Sequence, residues 1–196
     1  MRIAICGGTF DPFHRGHVEP LLAVRDQMEW DHIIYIPAWR QPFKTDRDTA
    51  SGHHRFAMIA LAIHDHDILF VSPIELERGG TSYSVETLEA LHEQFPGASF
   101  DWVIGDDNVA DLPKWKNPKR LFELARFVVL TRSNGGQPPP AVPPETSIIY
   151  AKNKTVPISS TEIRRKVRAG ESIDALVDPL VSRYIHHYGL YKEGHS

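Results

Sequence analysis

The stretch Cys6-Gly7-Gly8-Thr9-Phe10-Asp11-Pro12-Phe13-His14-Arg15-Gly16-His17 decides how this chain is read. It follows the apolar run Arg2-Ile3-Ala4-Ile5 and precedes a helical pattern, so it is a strand-to-helix turn rich in glycine and histidine. Glycines let backbone N–H groups approach an anion, and a helix opening near Arg15 points its positive dipole end at the same place. The turn therefore reads as a phosphate seat. His14 and His17, three residues apart, would present both imidazoles on one helical face toward whatever the turn holds.

Two common phosphate loops do not fit. A P-loop needs Gly-x-x-x-x-Gly-Lys-Ser/Thr, yet no lysine lies between Arg2 and Lys44; a dinucleotide turn needs Gly-x-Gly-x-x-Gly, yet position 9 is Thr. Histidine supplies the cation instead.

Outward from this turn, the spacing predicts alternating strands and helices. Val18, Leu21, Leu22, Arg25 and Met28 predict a helix to about Trp30, and His32–Pro37 a short buried strand parallel to the first. Ala38 to Ala50 reads as a loop long enough to act as a lid. Ser51 caps a helix bearing Phe56, Met58, Ile59, Leu61, Ala62 and Ile63, and Ile68–Val71 is a third strand. Glu75 to Tyr83 reads as a polar loop, with Ser84 capping a helix that ends at Pro96-Gly97. Ser99–Ile104 is a strand closed by Gly105-Asp106-Asp107; Leu121–Ala125 is helical and Phe127–Leu130 is a fifth strand.

Pro138-Pro139-Pro140 and Pro143-Pro144 mark a stiff surface connection before a last strand, Ser147–Ala151. Ser159-Ser160-Thr161-Glu162 reads as a capping box opening a helix that ends at Gly170, and a final helix stops at Gly189. The alternation predicts an α/β fold, a doubly wound parallel sheet of Rossmann-like type. We expect one domain over residues 1–196, with a small C-terminal helical part at about 159–196.

Bulk properties narrow the function. A net charge of −3 leaves no basic footprint for nucleic acid. No apolar run approaches the roughly 20 residues of a membrane span. A single cysteine, Cys6, and an opening that lacks a signal-peptide pattern point to a cytoplasmic protein. His14, His17 and Cys6 could be part of a zinc site, but no further cysteine and no other closely spaced ligand pair supports one. Metal ligands from the protein are therefore not expected.

In doubly wound sheets, ligands bind beyond the carboxyl ends of the strands. The polar clusters all follow strands: Gly7 to His17, Lys44, Tyr83, Asp107 with Trp115, and Ser160 with Arg164. These five segments should meet at one crevice. A helix start offering Ser159, Ser160 and Thr161, with Arg164 one turn in, is a second anion seat. Two such seats suit a triphosphate.

The opening motif, with its His14-Arg15-Gly16-His17 element, resembles the His-x-Gly-His nucleotidyltransferase superfamily. The resemblance extends to Gly79-Gly80-Thr81-Ser82-Tyr83-Ser84-Val85-Glu86-Thr87-Leu88, to Ile104-Gly105-Asp106-Asp107 with Leu112 and Trp115, to Ile158-Ser159-Ser160-Thr161-Glu162-Ile163-Arg164, and to Tyr184-Ile185-His186-His187-Tyr188-Gly189-Leu190-Tyr191. Among its families the nicotinate-nucleotide adenylyltransferases are the most similar. That resemblance implies transfer of AMP from ATP to nicotinate mononucleotide, giving deamido-NAD and pyrophosphate. It further implies that His14, His17 and Arg164 are catalytic, and that Gly7, Gly8, Thr9, Phe10, Gly105, Asp107, Ile158, Ser159 and Ser160 join them in binding ATP. Lys44, Tyr83, Ser84 and Trp115 would bind the mononucleotide, and Mg2+ would be held mainly by the ATP phosphates. The chain departs from the family pattern at Phe43, Lys116 and Ser133. Three alternatives stay open: a related enzyme using nicotinamide mononucleotide or phosphopantetheine, a nucleotide-sensing module without turnover, and a zinc protein; in any of them the chain could associate into a homo-oligomer.

Overall fold

The computed structural model describes residues 1–42, 49–131 and 148–192. Six parallel strands, β1 (Arg2–Gly8), β2 (His32–Pro37), β3 (Leu69–Val71), β4 (Ser99–Gly105), β5 (Arg126–Leu130) and β6 (Ile148–Tyr150), form one sheet in the order β3-β2-β1-β4-β5-β6. The chain runs outward from β1 to β3, then returns to the centre and runs the other way from β4. The strand order thus reverses between β1 and β4, which opens a crevice beyond their carboxyl ends. Register places Gly7 of β1 beside Ile36 of β2, and Ile5 beside Trp102 of β4.

Helices cover both faces, as a parallel sheet requires. One face carries α1 (Arg15–Met28), α2 (Gly52–Ile63), α6 (Ser160–Arg168) and α7 (Pro179–Tyr188), whose Val24, Met58, Ile163 and Ile185 pack with Ala4, Ile33 and Tyr35. The other carries α4 (Ser84–Gln94) and α5 (Pro118–Leu124), whose Leu88, Leu91 and Leu121 pack with Ile3, Ile5, Trp102 and Phe127. Both C-terminal helices bury their apolar stripes in the same core as the first strand.

The expected alternation is observed, with local differences. Glu75 to Tyr83 is not all loop, because Ile74–Arg78 forms a short helix, α3. The buried Glu75 carboxylate accepts the Thr87 hydroxyl proton at 2.6 Å, and the more exposed Arg78 donates to the same Oγ1 at 3.0 Å, so both polar residues are tied to a neighbouring helix. Ser84 is the first residue of α4 and does not cap it; the N-cap is Tyr83. A 3-10 helix, Asp106–Lys114, follows β4 where the sequence suggested only a turn. In α2 the buried residues are Gly52, Arg55, Met58, Ile59 and Ile63, so an arginine lies on the inward stripe while Phe56 and Leu61 are only half-buried. Lys44 and the proline-rich connection lie outside the described residues.

At the amino ends of the strands, away from the crevice, the buried Asp101 carboxylate accepts from Trp30 Nε1 at 2.7 Å and from Arg126 Nε at 2.8 Å. This pair ties α1 to the sheet and is structural.

Candidate active site

The turn after β1 is held from several directions. His14 is the N-cap of α1, with extended backbone at φ −149° and ψ 169°, and His17 is the third helical residue. The two imidazoles therefore do not ride one helical face; cap geometry brings them together, with ring centroids 3.7 Å apart and planes at 27°. His17 Nδ1 accepts the His14 backbone N–H at 3.2 Å. An acceptor at Nδ1 in the neutral ring places the proton on Nε2, so His17 is a hydrogen-bond donor through Nε2. Phe13 stacks on the same ring at 5.2 Å, Phe10 meets it edge-on at 5.0 Å, and the buried Tyr35 hydroxyl donates to the His17 carbonyl at 3.0 Å. Burial pushes that tyrosine well above its usual pKa, which keeps it a donor. The His17 donor is preorganised by its packing.

Glycines 7, 8 and 16 have steric reasons to lack a side chain. A Cβ on Gly7 would stand 3.0 Å from the Trp102 ring, and one on Gly8 would stand 2.9 Å from the Phe10 ring. On Gly16 it would meet His14 Cε1 and Nδ1 at 3.0 Å and the Ile158 carbonyl at 3.5 Å. This last contact places the segment before α6 directly against the histidine turn.

Two hydrogen bonds join these regions across almost the whole sequence. Ser160 Oγ donates to the Pro12 carbonyl at 2.9 Å, and Arg164 Nη1 donates to the Asp11 carbonyl at 2.7 Å. Ser159 caps α6 by accepting the Glu162 N–H at 3.2 Å. Ser160 thus donates its hydroxyl proton to the turn, and its backbone N–H is among those of the first helical turn that have no intrahelical acceptor. The start of α6 and the start of α1 are neighbours, so two helix N-termini lie side by side after β1.

The other expected residues among those described follow the carboxyl ends of their strands. Gly105 closes β4 next to β1, and the exposed Asp107 follows in the 3-10 helix. Ser82 accepts the Trp39 N–H at 3.0 Å and gives its own N–H to the Arg40 carbonyl at 2.9 Å, which docks the start of α4 against the segment after β2. Lys116 Nζ lies 4.2 Å from the Tyr83 ring centroid and 2.6 Å from Glu86 Oε1, so the half-buried Trp115 and Tyr83 belong to adjoining segments. The structure thus gathers His14, His17, Ile158, Ser159, Ser160 and Arg164 around the turn, while Tyr83 and Ser84 follow the Ser82 contact with the segment after β2 and Trp115 meets Phe127 of β5 edge-on at 6.3 Å.

Sequence reasoning missed the groups beneath the turn. Asp11 and Arg55 are 2% and 3% exposed, and Tyr191 is also buried. Burial raises the Asp11 carboxyl and lowers the Arg55 guanidinium from their usual values. The available signal was the arginine itself, sitting on the apolar stripe of a helix. Among the described residues, no group of three His, Cys, Asp or Glu stands together as a metal would need.

Comparison with known proteins places the chain in a family. The cytidylyltransferase-like family profile matches residues 5–166. A protein of Gemmatimonas aurantiaca described as "Probable nicotinate-nucleotide adenylyltransferase" is 39% identical over 201 residues, covering 98% of this chain and 93% of its own. The chain belongs to the nicotinate-nucleotide adenylyltransferase family, within the cytidylyltransferase-like proteins. A family member from Roseiflexus sp. is 38% identical over 196 residues, covering 97% of this chain and 98% of its own. The fold is also that of the Plasmodium falciparum nicotinic acid mononucleotide adenylyltransferase solved with NaAD, at a TM-score of 0.76, 21% identity and 97% coverage of each chain. Among the described residues of this adenylyltransferase-family chain, no helix is long and apolar enough to cross a membrane.

Proposed function

We propose that the chain transfers AMP from ATP to nicotinate mononucleotide, giving deamido-NAD and pyrophosphate, in NAD biosynthesis. The observation that carries this reading is the meeting of the two helix starts, through Ser160 on the Pro12 carbonyl and Arg164 on the Asp11 carbonyl. A nucleotide triphosphate carries its charge along a line, and two adjacent helix N-termini with histidines and an arginine complement it.

In this reading a phosphate oxygen of the mononucleotide attacks the α-phosphorus in line, the bond to the β-phosphate bridging oxygen breaks, and pyrophosphate leaves with its electron pair. The protein needs no nucleophile; it positions two anions and offsets developing charge. His17 donates from Nε2 to the α-phosphate, and His14 with the backbone near Gly7, Gly8, Thr9 and Phe10 holds the neighbouring phosphates. Arg164, with Ile158, Ser159 and Ser160, takes the β- and γ-phosphates. Gly105 and Asp107 receive the adenosine ribose, a carboxylate being able to accept from both hydroxyls.

The mononucleotide lies toward Trp115, Tyr83 and Ser84, with Lys44 from the segment after β2. The start of α4, where Tyr83 is the N-cap, favours a carboxylate over an amide on the pyridine ring. Mg2+ would travel with the triphosphate, held mainly by the ATP phosphates and keeping several waters. When bound it would offset charge on the phosphate oxygens. The chain acts as one domain, a reading supported by the core that α6 and α7 share with β1, and works in the cytoplasm.

Pyrophosphate release measured with each acceptor tests the assignment. Nicotinate mononucleotide should be used at least about 10-fold more efficiently than the nicotinamide form, a floor well under the roughly 10⁴–10⁵-fold that a site built to pair a polar group can reach. Preference for nicotinamide mononucleotide or phosphopantetheine would replace the acceptor assignment, and ATP binding without product would replace the enzyme by a sensor.

A further inference from the structure

Two buried groups with no role in the chemistry above, Arg55 and Tyr191, converge on Thr9-Phe10-Asp11. Arg55 spends its guanidinium on backbone carbonyls: Nη1 to Thr9 at 2.8 Å, Nη2 to Ala38 at 2.7 Å and Nε to Ala50 at 3.0 Å. On the other side, Asp11 Oδ1 accepts the Tyr191 hydroxyl proton at 2.6 Å and the Ala50 N–H at 3.1 Å. Tyr191 reaches this carboxylate from a position 180 residues later in the chain.

Phe10 stands between the two clamps with φ +54°, and Tyr191 itself has φ +65°. Left-handed backbone is unfavourable for aromatic residues and persists only where the surroundings over-determine it. The Phe10 ring also packs edge-on against His17, so a change in Phe10 would reach the donor imidazole. A peptide unit fixes C=O and N–H in opposite directions. When Arg55 holds the Thr9 carbonyl on the α2 side, the Phe10 N–H is turned away from α2.

We propose that Arg55 and Tyr191 are positioning residues for the phosphate turn: gripping the Thr9 carbonyl and the Asp11 carboxylate, they hold Phe10 in its left-handed conformation and aim its N–H into the crevice. The proposal rests on the reading above that the Thr9–Phe10 backbone seats a phosphate. It also ties both ends of the segment between β2 and α2, at Ala38 and Ala50, to the same turn.

The test uses full-length protein labelled with 15N-phenylalanine, with the Phe10 amide resonance identified by its loss in Phe10→Leu. Mg2+ with α,β-methylene-ATP should move that resonance in the wild type. In Arg55→Lys and Tyr191→Phe the movement should fall by about half or more, with KM for ATP rising about 10-fold per folded protein, within the range that misplaced binding groups cost. A purely structural role would lower Tm and leave the ligand-induced movement and KM unchanged, and that result would overturn the proposal. No movement in the wild type would instead overturn the phosphate-seat reading beneath it. Should Arg55→Lys fail to fold, Tyr191→Phe decides the matter, because it removes one hydroxyl and keeps the ring.

Discussion

The tautomer of His17 gives a prediction that separates its structural task from its chemical one. Nδ1 accepts the His14 backbone N–H, while Nε2 is the donor assigned to the α-phosphate. An asparagine amide overlays the Nδ1 position and a glutamine amide reaches the Nε2 position, so the two variants dissect one ring. His17→Asn keeps an acceptor for His14 and loses the donor; kcat should fall about 10²–10³-fold, or about 2.7–4 kcal/mol, the scale of one preformed transition-state donor. His17→Gln keeps a donor and loses the acceptor, which leaves the His14 N–H unpaired at a cost of about 1 kcal/mol. For a chain of this size that lowers Tm by about 2–4 °C, while kcat falls much less than in His17→Asn. Both variants are assayed by steady-state pyrophosphate release alongside thermal melts. The reasoning is refuted if His17→Asn retains kcat within about 3-fold of the wild type, or if the two variants rank the other way.

Three further expectations follow from other parts of the molecule. Gly16→Ala gains about 1 kcal/mol of helix propensity but presses a Cβ against the His14 ring, so Tm should change little while kcat falls; unchanged kcat would show that His14 need not hold its place. Asp101→Ala leaves Arg126 and Trp30 unpartnered at the far end of the sheet and should cost about 3 kcal/mol, near the lower end for a broken buried pair because Arg126 is partly exposed; KM for ATP should not move. Glu171 is held at about 2 by hydrogen bonds from Arg165 and then Lys166, below its usual value. Its contribution is therefore present above about pH 4.5 and lost as pH falls toward 2, so Glu171→Gln should flatten acid unfolding in that window, weakly and less so in high salt because these groups are exposed. An unaltered acid limb in the variant would assign the loss elsewhere.

The fold was legible because hydrophobic runs of four to seven residues, each followed by turn chemistry, leave a doubly wound sheet as the simple solution. The motif at Gly7–His17 and the serine cap at Ser159 were legible because their chemistry is local. What the sequence did not reveal was relational. His14 and His17 meet through an N-cap and not along a helix, a distinction that spacing alone does not make. Ile74–Arg78 is helical because Glu75 and Arg78 find Thr87 nine or more residues later, a tertiary choice that local polarity hides. Arg55 and Tyr191 lie 46 and 180 residues from their partners in the turn, and only packing reveals that they serve it.

The central claim is that one triphosphate bridges the start of α1 and the start of α6. A crystal structure with Mg2+ and α,β-methylene-ATP tests it most directly: the account places the α-phosphate within hydrogen-bond reach of His17 Nε2 and the β- and γ-phosphates against Arg164. Phosphates seated at only one of these helix starts, or elsewhere on the sheet, would contradict it.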